Sequence, residues 1–451
     1  METDSNRFEG LNAVINDNDG SWMQRIAVPS RCYSRPTLKL PLHGVRVSVK
    51  DNFALAGLKT GLQNRAFFAT YEAEENTADY IKRLIDLGAI IVGKTKLSSF
   101  ASGEKPCDWW EFLCPFNARA DGHLNPGQST TGGAASIGAY EWLDISIGSD
   151  SFGSVRVPAA QNGAYGIRLT TGLSAPTKGL YPNSPGFDMI GFLGRDLDEF
   201  LGFARASLNN EVKNIKKETW NANPPPGSNG RKFHNFTNGL VYNPFYYDGY
   251  HGTQSFRNDY QKRFNKKPYV TPHMQMKWDV GAGISREEYE ATLLDLQVFR
   301  QWFHDNILKP QSRTGSTALL ILPVGPGNPV FRDEIVESPP RFGIDQADLG
   351  AIAALPQIVL PIGHIPYDSP KSGQTEYLPI AGSIAGASGS DLMLLNLARE
   401  ALVSADWPTK VSPGRFLFEL SGPQNANPTN DAAGAPRIEI SSRMRPKCIM
   451  S

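Results

Sequence analysis

Three stretches of the sequence hold basic or nucleophilic side chains in settings where a fold could use them. Lys50 follows Val45-Arg46-Val47-Ser48-Val49, whose alternation of apolar and polar residues predicts a strand that delivers the lysine at its end. Residues 127–136 (GQSTTGGAAS) and 148–160 (GSDSFGSVRVPAA) are two hydroxyl clusters set among small residues. Turns of this composition let backbone N–H groups converge on a point, as an acyl oxyanion requires. Either cluster alone is what an ordinary turn looks like, so the weight rests on finding both together with Lys50. Other chemistries find less support. Residues 88–95 (GAIIVGKT) formally match a phosphate loop, but the residues between the glycines are apolar and β-prone and belong in a strand, so nucleotide binding is rejected. There is no G-x-S-x-G elbow, and the seven histidines are scattered. His364, His43 and His123 read as packed or solvated residues.

The elements that must position these groups read as alternating strands and helices. Residues 44–49 predict a strand, and 77–87 a helix with Asn76 or Thr77 as cap and Ala78, Ile81, Leu84 and Ile85 on one face. Residues 89–92 predict a buried strand, 132–141 a helix and 144–149 the next strand, so the two hydroxyl clusters bracket one helix and one strand. Further on, the pattern predicts strands near 239–242, 318–322 and 358–360, a long amphipathic helix at 285–307, and a helix capped by Ser390 running through Leu402. The stretch 209–343 reads as variable and partly loop or lid, and 420–451 as a flexible tail. Alternation of this kind implies an α/β fold with helices on both faces of a sheet.

Taken in order, these segments resemble the amidase signature family. The resemblance covers roughly 40–200 and 345–402. It runs through residues 44–52 (GVRVSVKDN), 88–95, Thr130-Thr131-Gly132-Gly133, 148–156 (GSDSFGSVR) and 355–364 (LPQIVLPIGH). It implies a single domain over 1–451, a three-layer α/β/α fold with a central mixed sheet, and no cofactor or metal. It also implies roles. Ser154 would be the nucleophile on an amide carbonyl, Thr130 would stand at the bridging position where the family has a serine in a cis peptide, and Lys50 would take the proton. A lysine acts as a base only when neutral, so the fold must bury it. The amides of Ser151, Phe152, Gly153 and Ser154 would form the oxyanion hole, with Asp150 and Arg156 holding that loop. Phe152 stands where the family has glycine, and either strains the loop or shapes the acyl pocket. Ser129, Trp109 and Trp110 are assigned to substrate contact, the two tryptophans as an aromatic wall for the acyl group, with packing of a surface loop as the equal alternative for them.

Composition narrows the partners. Lysine plus arginine and aspartate plus glutamate number 45 each, so no global field draws nucleic acid. No apolar run approaches the roughly twenty residues of a membrane span. Cys32, Cys107, Cys114 and Cys448 show no zinc-ligand spacing, and the acidic, polar amino terminus has no signal-like apolar segment, so a reducing, cytoplasmic setting is expected. Cys448-Ile449-Met450-Ser451 matches a prenylation pattern, with Arg443, Arg445 and Lys447 upstream. One match in four residues is also what chance gives, and a single lipid anchors only reversibly. The expected activity is hydrolysis of a small-molecule amide. Two alternatives stand beside it: an acyl-transferring or amidotransferase-type relative, and a non-catalytic scaffold, which a Lys50 that fails to reach the hydroxyls would favour.

Overall fold

The computed structural model describes residues 2–4, 7–9, 26–32, 37–208, 225–231, 233–311, 315–325, 327–335, 339–341 and 343–418. Eight strands build one sheet: β1 (Arg46–Lys50), β2 (Ile90–Thr95), β3 (Ile145–Asp150), β4 (Tyr165–Arg168), β5 (Met189–Gly194), β6 (Leu320–Val324), β7 (Gln357–Asp368) and β8 (Thr375–Ala385). Their spatial order is β6-β8-β7-β4-β5-β3-β1-β2. β1 lies parallel to both β2 and β3, and the remaining neighbours are antiparallel, so the sheet is mixed as expected. Parallel strands need both faces covered, and the near-continuous burial of β1 and β3 shows that they are.

The helices are α1 (Arg65–Thr70), α2 (Asp79–Asp86), α3 (Thr131–Ala139), α4 (Arg156–Gln161), α5 (Leu197–Ser207), α6 (Phe233–Thr237), α7 (Tyr242–His251), α8 (Gln254–Phe264), α9 (Pro272–Ala282), α10 (Arg286–Asn306), α11 (Leu349–Ile352) and α12 (Asp391–Ser404). On one face Val47, Val49, Ile147 and Phe192 pack against Ile81 and Leu84 of α2, Phe200 of α5 and Leu394 and Leu395 of α12. Leu193, the next residue along β5, joins the other face with Ala134 and Ile137 of α3 and Ala159 of α4. That period of two is what a sheet buried on both sides requires. α3 and α4 can lie so close because the strands beneath them carry glycine. A Cβ at Gly148 would stand 2.6 Å from Thr130 Cγ2, and one at Gly166 would stand 2.5 Å from Ala159 Cβ. Both hydroxyl clusters sit at the amino ends of these two helices, so this packing brings them together.

Several boundaries differ from the sequence reading, for local reasons. α2 starts at Asp79 with Ala78 as its uncapped N-cap, because Thr77 Oγ1 accepts instead from the Ala56 amide (3.1 Å). Ser390 precedes α12, but its hydroxyl donates back to the Ala387 carbonyl (2.6 Å). The strand expected at 239–242 is instead the turn into α7. Around it, Phe236, Leu240, Tyr246, Leu296, Phe299 and Phe303 form a second core of packed helices. The region assigned to loop or lid is therefore largely helical over α6–α10, whereas 209–224 falls outside the described residues. The capping box between Ser285 and Glu288 starts α10 where the pattern placed it. Strand 358–360 proves to be the start of β7, which with β8 makes a long hairpin that the sequence reading did not contain. The tail from 419, including Cys448, also lies outside the described residues.

Candidate active site

β1 ends at Lys50, and the parallel neighbour β3 ends at Asp150, so the sheet sets the lysine beside the second hydroxyl cluster. Lys50 is fully buried, and its Nζ donates to Ser129 Oγ (2.7 Å), Ser149 Oγ (2.9 Å) and the Ser149 carbonyl (3.1 Å). Burial pushes its pKa down to about 7, against the nearby carboxylates of Asp150 and Asp188, which favour the charged form. Asn52 donates from Nδ2 to the same Ser149 Oγ (2.9 Å).

The bridging position needs correction. The cis peptide bond joins Gln128 to Ser129, and it is Ser129, not Thr130, whose hydroxyl meets Lys50. Thr130 is the N-cap of α3. Its Oγ1 lies 3.4 Å from the Ser149 carbonyl, and its methyl group packs over Gly133 and Gly148. The Thr130 amide donates to the Ser154 carbonyl (3.0 Å), which ties the first hydroxyl cluster to the second. Ser154 stands in the turn that enters α4 and is partly exposed.

Asp150 organises that turn, as its position suggested. It accepts from the amides of Gly153 (2.8 Å), Val155 (3.0 Å) and Arg156 (3.3 Å), and from the Arg156 guanidinium at 3.0 and 2.8 Å. Arg168 approaches to 3.5 Å, and these cations hold the carboxyl well below the usual range despite its burial. The Gly153 amide is thus committed to Asp150 and is not free for an oxyanion, which corrects its inclusion in the expected set. Gly153 is also the loop residue with positive φ (109°), a conformation that Phe152 does not share. Phe152 therefore sits unstrained, with its ring against Phe187 and Phe245 at 4.7 and 5.3 Å between centroids. Ser151 donates to Asp188 and accepts from Asn183 Nδ2 (3.2 Å).

A small cavity of about 20 Å³ opens beside these groups, walled by Asn52, Asn183, Asp248 and Lys277 among apolar residues such as Leu62 and Phe100. Trp109 and Trp110 are not among its walls, and Trp110 is 67% exposed. Among the described residues no three His, Cys, Asp or Glu side chains gather as metal ligands. His364 packs against Tyr377 and Phe418, and His123 against Phe116. Sequence reasoning missed Ser149, Asn52, Asn183, Asp188 and Lys277. The first two lie within motifs it had already quoted, and the others lie where no pattern marked them.

The fold that holds this site has counterparts among solved structures. One described as an amidase aligns over 82% of this chain and 86% of its own, with a TM-score of 0.59 at 19% identity. A 6-aminohexanoate cyclic dimer hydrolase complexed with substrate aligns over 81% and 85%, with a TM-score of 0.59 at 16% identity. These likenesses establish the amidase fold. Residues 18–236 match the family model described as Amidase. Curated relatives match over a shorter share of the chain. Amidase 1 of Oryza sativa subsp. japonica is 34% identical over 181 residues, which is 40% of this chain and 39% of that protein. Amidase 1 of Arabidopsis thaliana is 32% identical over 187 residues, 41% of this chain and 42% of its own length. The matched part thus spans about two fifths of either relative.

Proposed function

We propose that this protein hydrolyses a carboxylic amide through an acyl-enzyme on Ser154, with Ser129 passing protons between Ser154 and Lys50. The observation that carries this reading is the contact of a fully buried Lys50 Nζ with Ser129 Oγ at 2.7 Å. A lysine with a pKa of about 7 is neutral in roughly half the molecules at pH 7, whereas at its ordinary value of 10.5 the fraction is roughly one in 3,000. Neutral Lys50 accepts the Ser129 proton as Ser129 accepts that of Ser154, and Ser154 Oγ bonds to the amide carbon. The amides of Ser151, Phe152 and Ser154 remain available to the oxygen, which takes up negative charge. Collapse breaks the C–N bond, and the proton returns from Lys50 through Ser129 to the leaving amine. Water then attacks the acyl ester by the same relay, releasing acid and free Ser154. An amine in place of water would make the same acyl-enzyme a donor for acyl transfer. Lys50 reaching the hydroxyl cluster weighs against a scaffold that only binds partners.

Labelling with a fluorophosphonate, read by intact mass, tests the reading. Wild type should gain one adduct that Ser154→Ala abolishes and Lys50→Ala slows by at least about a hundredfold. No adduct on wild type, under conditions where a known amidase reacts, would return the scaffold reading to first place.

A further inference from the structure

A second buried lysine faces the cavity and takes no part in the relay. Lys277 of α9 is 1% exposed, and its stem lies against Gly249 of α7, where a Cβ would come within 2.6 Å of Lys277 Cε. Nζ donates to Asn183 Oδ1 (2.7 Å) and stands 3.5 Å from the centroid of the Phe245 ring. Among the described residues no carboxylate lies within 4 Å of it. An ammonium carries three donors, and one neutral acceptor with an aromatic face leaves it under-satisfied for a group so buried.

The acids around it are already engaged. Asp188 accepts from Ser151 and from the amides of Asn183 (2.7 Å) and Ser184 (2.9 Å), and Asp248 accepts from Ser184 Oγ (2.7 Å). Glu104 accepts from Thr271 and from the Ser99 amide (3.0 Å), and burial raises its pKa to about 8. His273, one turn earlier on α9, contacts the Ser102 carbonyl (3.3 Å). Burial lowers the Lys277 pKa to about 7, and these acids only partly offset it. The cavity at Lys277 has room for about one water or the tip of a small polar group. It reaches the proposed chemistry on two sides. Asn52 lies two residues beyond Lys50, and Asn183 bonds Ser151 of the loop that carries Ser154.

We propose that Lys277 receives a terminal carboxylate on the acyl part of the substrate, so that the preferred amide is one whose acyl chain ends in an acid. This rests on the amidase reading for which part of the substrate enters, but the anion site itself stands on the cavity and the lysine. A carboxylate on Nζ would supply the missing acceptor and counter-charge, and would hold the acyl carbonyl near the loop at 151–154.

The test uses the full chain as Ser154→Ala, which leaves the ligand intact. Calorimetric titration compares glutaramate, an amide ending in a carboxylate, with pentanamide and with the neutral diamide glutaramide. Glutaramate should bind at least about tenfold more tightly than either neutral amide, and Lys277→Met in the same background should abolish the difference. Lys277→Gln, which keeps a polar side chain of similar reach, should also lose it and covers the case in which the methionine variant does not fold. Equal binding of the three amides, absence of glutaramate binding, or a preference that survives both substitutions would overturn the proposal. Phosphonate labelling of wild type separates the two ideas. A missing adduct with glutaramate preference intact sinks the hydrolase and keeps the anion site, and the reverse sinks the anion site alone.

Discussion

Asn52→Asp is an isosteric change that should convert the base from one poised at neutral pH into one that works only in alkali. Asn52 Nδ2 and Lys50 Nζ each lie 2.9 Å from Ser149 Oγ, so the two nitrogens are at most about 6 Å apart. Asn52 is 2% exposed, and its Oδ1 has no partner, so the new carboxylate is buried and finds its counter-charge in Lys50. An opposite charge at that range raises a lysine pKa by about 1–3 units. Starting from about 7, the neutral fraction at pH 7 falls from roughly one half to between roughly one in ten and one in a thousand. The rate at pH 7 should therefore drop about 5- to 500-fold, and the loss should shrink to at most about twofold by pH 10. The assay is the second-order rate of phosphonate labelling of Ser154 from pH 6 to 10, with a urea melt to show that the variant is folded. Wild type should rise through about pH 7 and level off, whereas the variant should level off 1–3 units higher. A loss that is the same at pH 7 and pH 10 would mean that Asn52 only positions its neighbours. An unchanged profile would refute Lys50 as the titrating base.

Substitution at the two adjacent hydroxyls separates the relay from its neighbour. Ser129→Ala should slow labelling by about a hundredfold or more, whereas Thr130→Val, which keeps the methyl packed over Gly148, should cost less than about tenfold. Asp150→Asn removes the buried charge that faces three amides and the Arg156 guanidinium, and turns one acceptor oxygen into a donor. It should lower unfolding free energy by about 3–5 kcal/mol, seen as a fall in the urea midpoint at constant slope. Stability should also depend on pH through the two buried lysines. With folded values near 7 and unfolded values near 10.4, the unfolded chain binds more protons between them, so stability rises with pH across that window. Glu104, raised to about 8, opposes this only below that value. From pH 8 to 9, below the range where Arg119 and Arg168, lowered to about 9, and Cys114, raised to about 12, change the slope, each lysine should add up to about 1.4 kcal/mol per unit, and Lys277→Met should remove about half of it in urea titrations.

The sequence carried the layers of the fold more clearly than the edges of the site. Alternation in 45–49 and the cap at Ser285 are local signals, and β1 and α10 obey them. β4 and β5 were not legible, because strands buried on both faces read as apolar runs with no period to measure. The same physics disposed of the apparent phosphate loop. Gly93, Lys94 and Thr95 lie within β2, and Lys94 pairs with Asp51 at 2.8 Å. At 239–242 the short apolar run belongs to the core under α7 and α10, which only the tertiary partners Leu296 and Phe299 reveal. At the site, residue types were legible but geometry was not. Ser129, Thr130 and Thr131 present three hydroxyls in a row, and which one faces Lys50 depends on how the chain turns into α3.

Burial lowers the pKa of both lysines to about 7, but their surroundings differ, and that difference assigns their work. Lys50 is met by the hydroxyls of Ser129 and Ser149, which can each accept or donate. Its neighbours can therefore satisfy the ammonium by accepting and the amine by donating one proton back, so either state is at home and the proton can travel. Lys277 is met by Asn183 Oδ1, which only accepts, and by the Phe245 ring, whose face also favours the cation. Nothing in that pair can give a proton to a neutral amine. Lys277 thus finds partners only as a donor, which suits a group that would hold a substrate's acid end while Lys50 moves charge at the scissile bond.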